Sequence, residues 1–323
     1  MWLSRHWKDY KIIAAGSGEK LEKWGDYLLI RPDPQIIWER EHINPLWNKA
    51  DAHYHRSVRG GGEWKLFSLP KQWSIAYDLD DLSAPSASLT DTSDYKSGNG
   101  GSQQTCMPKQ LIFNLKPFSF KHTGLFPEQA SNWDFSFNLI KKRINSGMPV
   151  KLLNLFAYTG AATLAAAAAG AKVTHVDASK GMVNWAKENA VSSGLDNAGI
   201  RWLVDDCLKF VEREIRRGNK YEAVIMDPPS YGRGPKGEVW KLEASVYSLV
   251  KASLKLMSDT PLFFLINSYT TGLQAGVLNY MVSSAVNALK LPKCSLVEAD
   301  ELGLYVEEDS LILPCGAAAR AVW

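Results

Sequence analysis

The sequence predicts an α/β protein: a doubly wound, mostly parallel seven-stranded sheet with an antiparallel hairpin at its C-terminal edge, preceded by a smaller mixed α/β domain. Three observations predict it. From Lys151 onward, apolar runs of strand length alternate five times with stretches of helical periodicity, as in a parallel sheet covered on both faces. The last two apolar runs are joined by a short turn rather than a helix, which favours an antiparallel pair. Before Lys151 the chain is rich in Trp and Tyr, and its short runs are broken by Pro and Gly.

In chain order, the reading divides as follows. Residues 1–125 form the N-terminal domain, with strands at Asp26–Arg31, Trp73–Tyr77 and Gln110–Leu115. A Ser/Thr/Gly/Asp-rich insert at about 82–108 has too few large apolar residues to offset its ordering entropy. Residues 126–150 hold a connecting helix. Residues 151–323 supply strand Lys151–Phe156, helix Ala161–Ala169, strand Lys172–Asp177, and a helix capped by Ser179. Strand Ile200–Asp205 follows, then a helix with Leu208, Val211 and Ile215 on one face. Next come strand Glu222–Asp227 and a helix with Leu242, Val246, Leu249 and Val250 aligned. Strand Pro261–Ser268 precedes a helix with Val277, Leu278, Met281 and Ala285 inward. Short strands near Ser295–Ala299 and Leu311–Cys315, with a turn over Gly303–Asp309, end the chain.

At 323 residues, 46% hydrophobic and 22% charged, the chain is long enough for two cored domains without disulfides or metal. The formal net charge of +3 suits a nucleic-acid partner without requiring one. Cys106, Cys207, Cys294 and Cys315 form no CxxC pair, and His53 and His55 have no third ligand in view, so no metal is expected. Without a signal peptide or a membrane-length apolar run, the expectation is a cytoplasmic protein with no membrane partner. The sequence sets no oligomeric state.

Ligands on such a sheet bind at the carboxyl ends of the strands. The first strand runs into Asn154–Gly160, where Gly160 permits close backbone approach at a helix N-terminus. The second ends at Asp177, which can accept from two ribose hydroxyls or simply favour the helix dipole. The third ends at Asp205-Asp206-Cys207. Asp206 can accept from an adenine amino group, with the Cys207 N–H facing the ring, or can cap the helix. The fourth ends at Asp227-Pro228-Pro229-Ser230-Tyr231. There two prolines remove N–H donors and leave the Asp227 carboxylate and Pro228 carbonyl as acceptors beside an aromatic ring, a set that suits a flat nitrogenous substrate.

With these residues in place, the sequence resembles the class I S-adenosylmethionine-dependent methyltransferases, which have a Rossmann-like fold. The resemblance is closest to the branch of bacterial 23S ribosomal RNA methyltransferases for cytosine C5 and guanine N7. It covers about Phe120 to the C-terminus and rests on FKHTGLFPEQ, NLFAYTG, HVDAS, VDDCLKF and MDPPSYGRG in order. It implies S-adenosylmethionine as cofactor, with Phe156, Tyr158, Thr159 and Gly160 at its methionine end. Asp177 and Ala178 would lie at the ribose, Asp206 and Cys207 at the adenine, and Thr123 and Gln129 nearby. Asp227, Pro228 and Tyr231 would face the acceptor, a nitrogen of a base in ribosomal RNA. A small-molecule or protein acceptor is the alternative; a nicotinamide oxidoreductase is disfavoured by the missing GxGxxG. Two departures stand out. Tyr269 occupies the position where cytosine-C5 enzymes carry their nucleophilic thiol, so that reaction is not expected. The N-terminal region resembles neither THUMP nor PUA modules.

Overall fold

The computed structural model describes all residues except 42–43, 58–60, 80–107, 109, 119–120, 234–238, 271 and 290. Cys106, Lys236 and nearly all of the insert expected at 82–108 lie outside the described residues.

The N-terminal region is built of strands. After the two-residue β1 (Trp2–Leu3), β2 (Tyr10–Gly16), β3 (Glu19–Trp24), β4 (Tyr27–Pro32), β5 (Ala52–Arg56) and β6 (Gly62–Leu66) form one sheet in sequence order. β7 (Trp73–Asp78) and β8 (Gln110–Leu115) form a separate antiparallel pair. Among the described residues its only helical element is a 3₁₀ turn, Pro45–Lys49. The sequence reading missed β2 and β3; in β3 the charged Lys20 and Glu22 are buried, where apolar residues would mark a strand.

α1 (Ala130–Asn145) leads into the large sheet. Its units are β9 (Lys151–Leu155), α2 (Ala161–Ala168), β10 (Lys172–Asp177), α3 (Lys180–Ser192), β11 (Ile200–Val204) and α4 (Cys207–Arg217). The second half has β12 (Ala223–Met226), a small hairpin of β13 (Tyr231–Arg233) and β14 (Val239–Lys241), α5 (Leu242–Leu254), β15 (Phe263–Ser268) and α6 (Ala275–Asn287). β16 (Leu296–Tyr305) and β17 (Ile312–Val322) end the chain. The order β1-β16-β17-β15-β12-β9-β10-β11 contains the seven expected strands plus β1, which pairs parallel to β16. β12 and β15 are buried along their whole length, as strands covered on both faces must be. One core joins α1 and α2 to β7 and β8; the other joins α4, α5 and α6.

Three details differ from the sequence reading. β16 and β17 are ten and eleven residues long, not short. Pairing along their length overrides the weak strand preference of Asp300, Glu301 and the small residues Gly316–Ala319. The α4 face that packs inward carries Phe210, Val211 and Glu214, while Ile215 is exposed. Glu214 is drawn in because Tyr221, Asn219 and Arg217 all donate to its carboxylate. Val277 faces water, while Leu278, Met281 and Ala285 are buried as expected. Among the described residues no helix is long and apolar enough to cross a membrane.

Candidate active site

The chain winds from β9 to β10 and β11 in one direction, then crosses to β12 and β15 in the other. The crevice therefore lies where β9 meets β12. The loop after β9 is held in an uncommon shape: Phe156, Tyr158 and Gly160 have φ of 55°, 49° and 88°. A Cβ on Gly160 would come within 2.9 Å of the Ala186 Cβ, so glycine lets α2 start hard against α3. Thr159 Oγ1 donates to the Gly124 carbonyl at 2.6 Å, and Asn189 Nδ2 donates to the Thr159 carbonyl at 3.0 Å. These bonds tie the loop to the 121–129 strap and to α3.

A small cavity of about 50 Å³ lies under the strap, bordered by Phe126, Gln129, Phe156, Tyr158, Gly160 and Asp227. It is well below the ~300 Å³ of an ordinary ligand pocket, so a nucleotide-sized ligand must extend beyond it. Two buried hydroxyls in this region, Tyr158 Oη and Thr123 Oγ1, have no hydrogen-bond partner among the described residues. Orphaned groups of this kind fit a ligand with a polar end.

Asp177 and Asp206 stand at the carboxyl ends of the neighbouring strands β10 and β11. Asp177 Oδ2 accepts from the Tyr158 N–H at 2.9 Å and Oδ1 from the Ser179 N–H at 2.8 Å. Burial outweighs these bonds and raises its carboxyl above the ordinary range. Each oxygen keeps a lone pair for a hydroxyl. Ala178, next to it, is exposed. Asp206 caps α4, with Oδ1 accepting from the Lys209 N–H at 2.8 Å, which leaves Oδ2 for another donor. The Cys207 thiol is buried and accepts from the Phe156 N–H at 3.2 Å. Burial pushes its pKa up, so it is a tie between loops rather than a nucleophile.

Asp227, at the end of β12, borders the same cavity. Its carboxylate accepts no hydrogen bond from the described residues. Burial, reinforced by the nearby charge of Glu128, lifts its pKa to about 7. Pro228 is buried and Tyr231 is half exposed. The Trp240 indole N–H donates to the Pro229 carbonyl at 2.6 Å while its ring packs 5.7 Å from that of Phe156. Trp240 thus joins the loop after β12 to the loop after β9.

Of the residues singled out from sequence, Gln129, Phe156, Tyr158, Thr159, Gly160 and Asp227 border one cavity. Asp177 and Cys207 are bonded to its loop, while Thr123, Asp206, Pro228 and Tyr231 lie off the cavity lining. Sequence reasoning missed Phe126, Glu128 and Asn267, and it named Tyr269 only as the residue standing in place of a thiol. Phe126 and Glu128 stood inside the FKHTGLFPEQ motif, so that signal was available; nothing local marks Asn267. The invited metal pair is otherwise engaged: His53 Nε2 lies 2.6 Å from Glu19 Oε1.

A family model described as S-adenosylmethionine-dependent methyltransferase matches residues 108–244. Across nearly the whole chain, the fold is similar to that of a solved S-adenosylmethionine-dependent methyltransferase from Agrobacterium tumefaciens. The two are 31% identical with a TM-score of 0.82, over 99% of this chain and 92% of that one. Two curated relatives are named for ribosomal RNA. The ribosomal RNA large subunit methyltransferase K/L of Shewanella frigidimarina is 38% identical over 149 residues, 45% of this chain and 20% of that protein. The ribosomal RNA large subunit methyltransferase K of Neisseria meningitidis is 25% identical over 205 residues, 63% of this chain and 55% of that protein. The chain thus spans a fifth to about half of the curated relatives it matches.

Proposed function

The chain belongs to the S-adenosylmethionine-dependent methyltransferases, and from that premise we propose that it methylates a nitrogen of a base in ribosomal RNA. The observation that carries the reading is Asp227. It is a carboxylate without a hydrogen bond from the described protein, at the end of β12, beside the cofactor crevice and next to the proline carbonyls. An acceptor so placed calls for an N–H-bearing substrate. Support for a macromolecular substrate comes from Tyr231, an aromatic residue 52% exposed, and from the names of the curated relatives.

When bound, S-adenosylmethionine supplies an electrophilic methyl group for in-line displacement. Asp177 would accept from the ribose hydroxyls, with Ala178 beside it, and the free oxygen of Asp206 from the adenine amino group. The first N–H groups of α4, beginning at Cys207, have no partners within the helix and can donate to the ring. Phe156, Tyr158, Thr159 and Gly160 would enclose the methionine end against the strap of Thr123 and Gln129. Asp227 and the Pro228 carbonyl would orient the base, and the Asp227 carboxylate would receive the proton lost when an N–H nitrogen is methylated. Tyr231 would stack on the base.

The test is transfer of labelled methyl from S-adenosylmethionine to ribosomal RNA from a strain lacking the gene. The expected result is one labelled base nitrogen, with RNA binding that weakens steeply with salt. Label appearing only in a small molecule or a protein overturns the RNA reading.

A further inference from the structure

A buried chain of hydrogen bonds runs from β17 to the acceptor side of the site, and chemistry fixes its direction. Arg320, 6% exposed, sits between the rings of Trp2 and Phe135, with its guanidinium carbon 3.6 and 4.3 Å from their centroids. Arginine can only donate. Its Nε and Nη2 donate to Asn132 Oδ1 at 3.0 and 2.6 Å, so the Asn132 amide must point its nitrogen the other way. That nitrogen donates to Gln129 Oε1 at 3.0 Å and to Asn267 Oδ1 at 2.9 Å. Gln129 must then turn its own nitrogen outward, and Nε2 donates to Tyr269 Oη at 2.6 Å. The Tyr269 hydroxyl is therefore an acceptor toward Gln129. Its single proton has to go elsewhere, and the carboxylates of Glu128 and Asp227 are close enough to act on it.

The ring is held as firmly as the hydroxyl. It packs against Phe126 at 5.7 Å, and a Cβ on Gly316 would come within 2.9 Å of it. Yet the Tyr269 residue as a whole is 37% exposed, so part of its side chain meets solvent.

We propose that Tyr269 is a substrate-contacting hydrogen-bond donor in the methyl transfer, aimed by the Arg320–Asn132–Gln129 relay. It would donate to a carbonyl oxygen or unprotonated ring nitrogen of the acceptor while Asp227 accepts from the neighbouring N–H. The site then selects acceptors that present a donor and an acceptor side by side on one edge, and the relay residues act as positioning residues. The proposal rests on the base-methylation reading above, but its relay can be examined without RNA.

Tyr269→Phe removes the donor and keeps the ring. Asn132→Asp keeps the shape and the Arg320 pairing but cannot donate to Gln129, which is then free to turn its oxygen toward Tyr269. With wild-type protein active on RNA, Tyr269→Phe is expected to lower kcat/KM about ten- to a hundredfold, with S-adenosylmethionine affinity held within about twofold. Asn132→Asp is expected to lower kcat/KM in the wild-type background and to have no further effect in the Tyr269→Phe background. Full turnover by Tyr269→Phe, or additive losses in the double variant, overturns the proposal. In parallel, NMR of protein labelled with ¹³C at the tyrosine Cζ reads the Tyr269 hydroxyl directly, assigned through Tyr269→Phe. Asn132→Asp is expected to shift that resonance; an unmoved resonance overturns the relay. If wild-type protein methylates no RNA, the RNA reading fails by itself, and the NMR result still decides the relay.

Discussion

Glu22 in the N-terminal sheet and Asp227 at the end of β12 are both carboxylates shielded from water, and their surroundings send them in opposite directions. Burial alone would raise Glu22, but Arg31 and Lys20 overcome it and hold the carboxyl down at about 2. Arg31 donates through Nε and Nη2 at 2.5 and 2.7 Å, and the Tyr10 hydroxyl adds a third bond at 2.8 Å. Asp227 has burial and a second carboxylate, Glu128, with no offsetting cation among the described residues, so its pKa rises to about 7. A satisfied buried charge locks structure; an unsatisfied one waits for a substrate. The first also serves the second. Arg31 Nη1 donates to the Lys121 carbonyl at 3.0 Å, and Lys121 Nζ to the Pro32 carbonyl at 2.9 Å, so the Glu22 cluster anchors the strap over the crevice.

The largest effect is expected at the satisfied site. Glu22→Gln leaves Arg31 and Lys20 buried with too little negative charge and should cost about 3–5 kcal/mol in chemical unfolding. The sign with pH follows from the lowered pKa. The contribution of Glu22 is present above its unfolded value of about 4.5 and is lost as pH falls toward about 2. The wild-type protein should lose stability across that window, and the variant should lose less. A loss under about 1 kcal/mol at neutral pH would place Glu22 among ordinary surface pairs.

Asp227→Asn should act the other way. Turnover should fall about 100- to 1000-fold with S-adenosylmethionine binding retained, because the group that receives the proton is gone. Stability should rise at pH 8. An acid whose pKa is raised on folding contributes stability that is whole below its unfolded value and lost as pH climbs through about 7, and asparagine has no charge to bury. In the wild-type enzyme kcat/KM should increase as pH passes through about 7, and Glu128→Gln should move that rise to lower pH. A flat profile between pH 6 and 8 would remove Asp227 as the proton acceptor.

The same contrast explains what could be read in the sequence. β9, β10, β12 and β15 were visible as apolar runs because both faces of those strands are buried, and Asp177 and Asp227 were visible because they stop such runs. The Glu22 cluster was hidden because Glu22 meets Arg31 of β4 and Tyr10 of β2 across the sheet, a register that no local pattern reveals. The α4 face was misread because Glu214 is buried by partners that lie downstream. The Tyr269 relay draws on α1, β15 and β17, and only the folded chain brings Arg320, 188 residues from Asn132, within bonding distance.

Asp206 stands between the two extremes and gives the smallest and most discriminating test. One of its oxygens caps α4 and the other accepts no hydrogen bond from the described residues. Asparagine is as good a cap as aspartate, so Asp206→Asn should change stability by no more than a few tenths of a kcal/mol. Its amide nitrogen would then occupy the other side, donor against the donor of an adenine amino group. S-adenosylmethionine affinity should fall about tenfold, near 1.4 kcal/mol, by calorimetric titration. Asp206→Ala separates the two roles from the other direction, losing about 1 kcal/mol of stability with the cap. If Asp206→Asn binds the cofactor as tightly as wild type, the carboxylate is a helix cap alone, and the adenine amino group must find its acceptor elsewhere along β11.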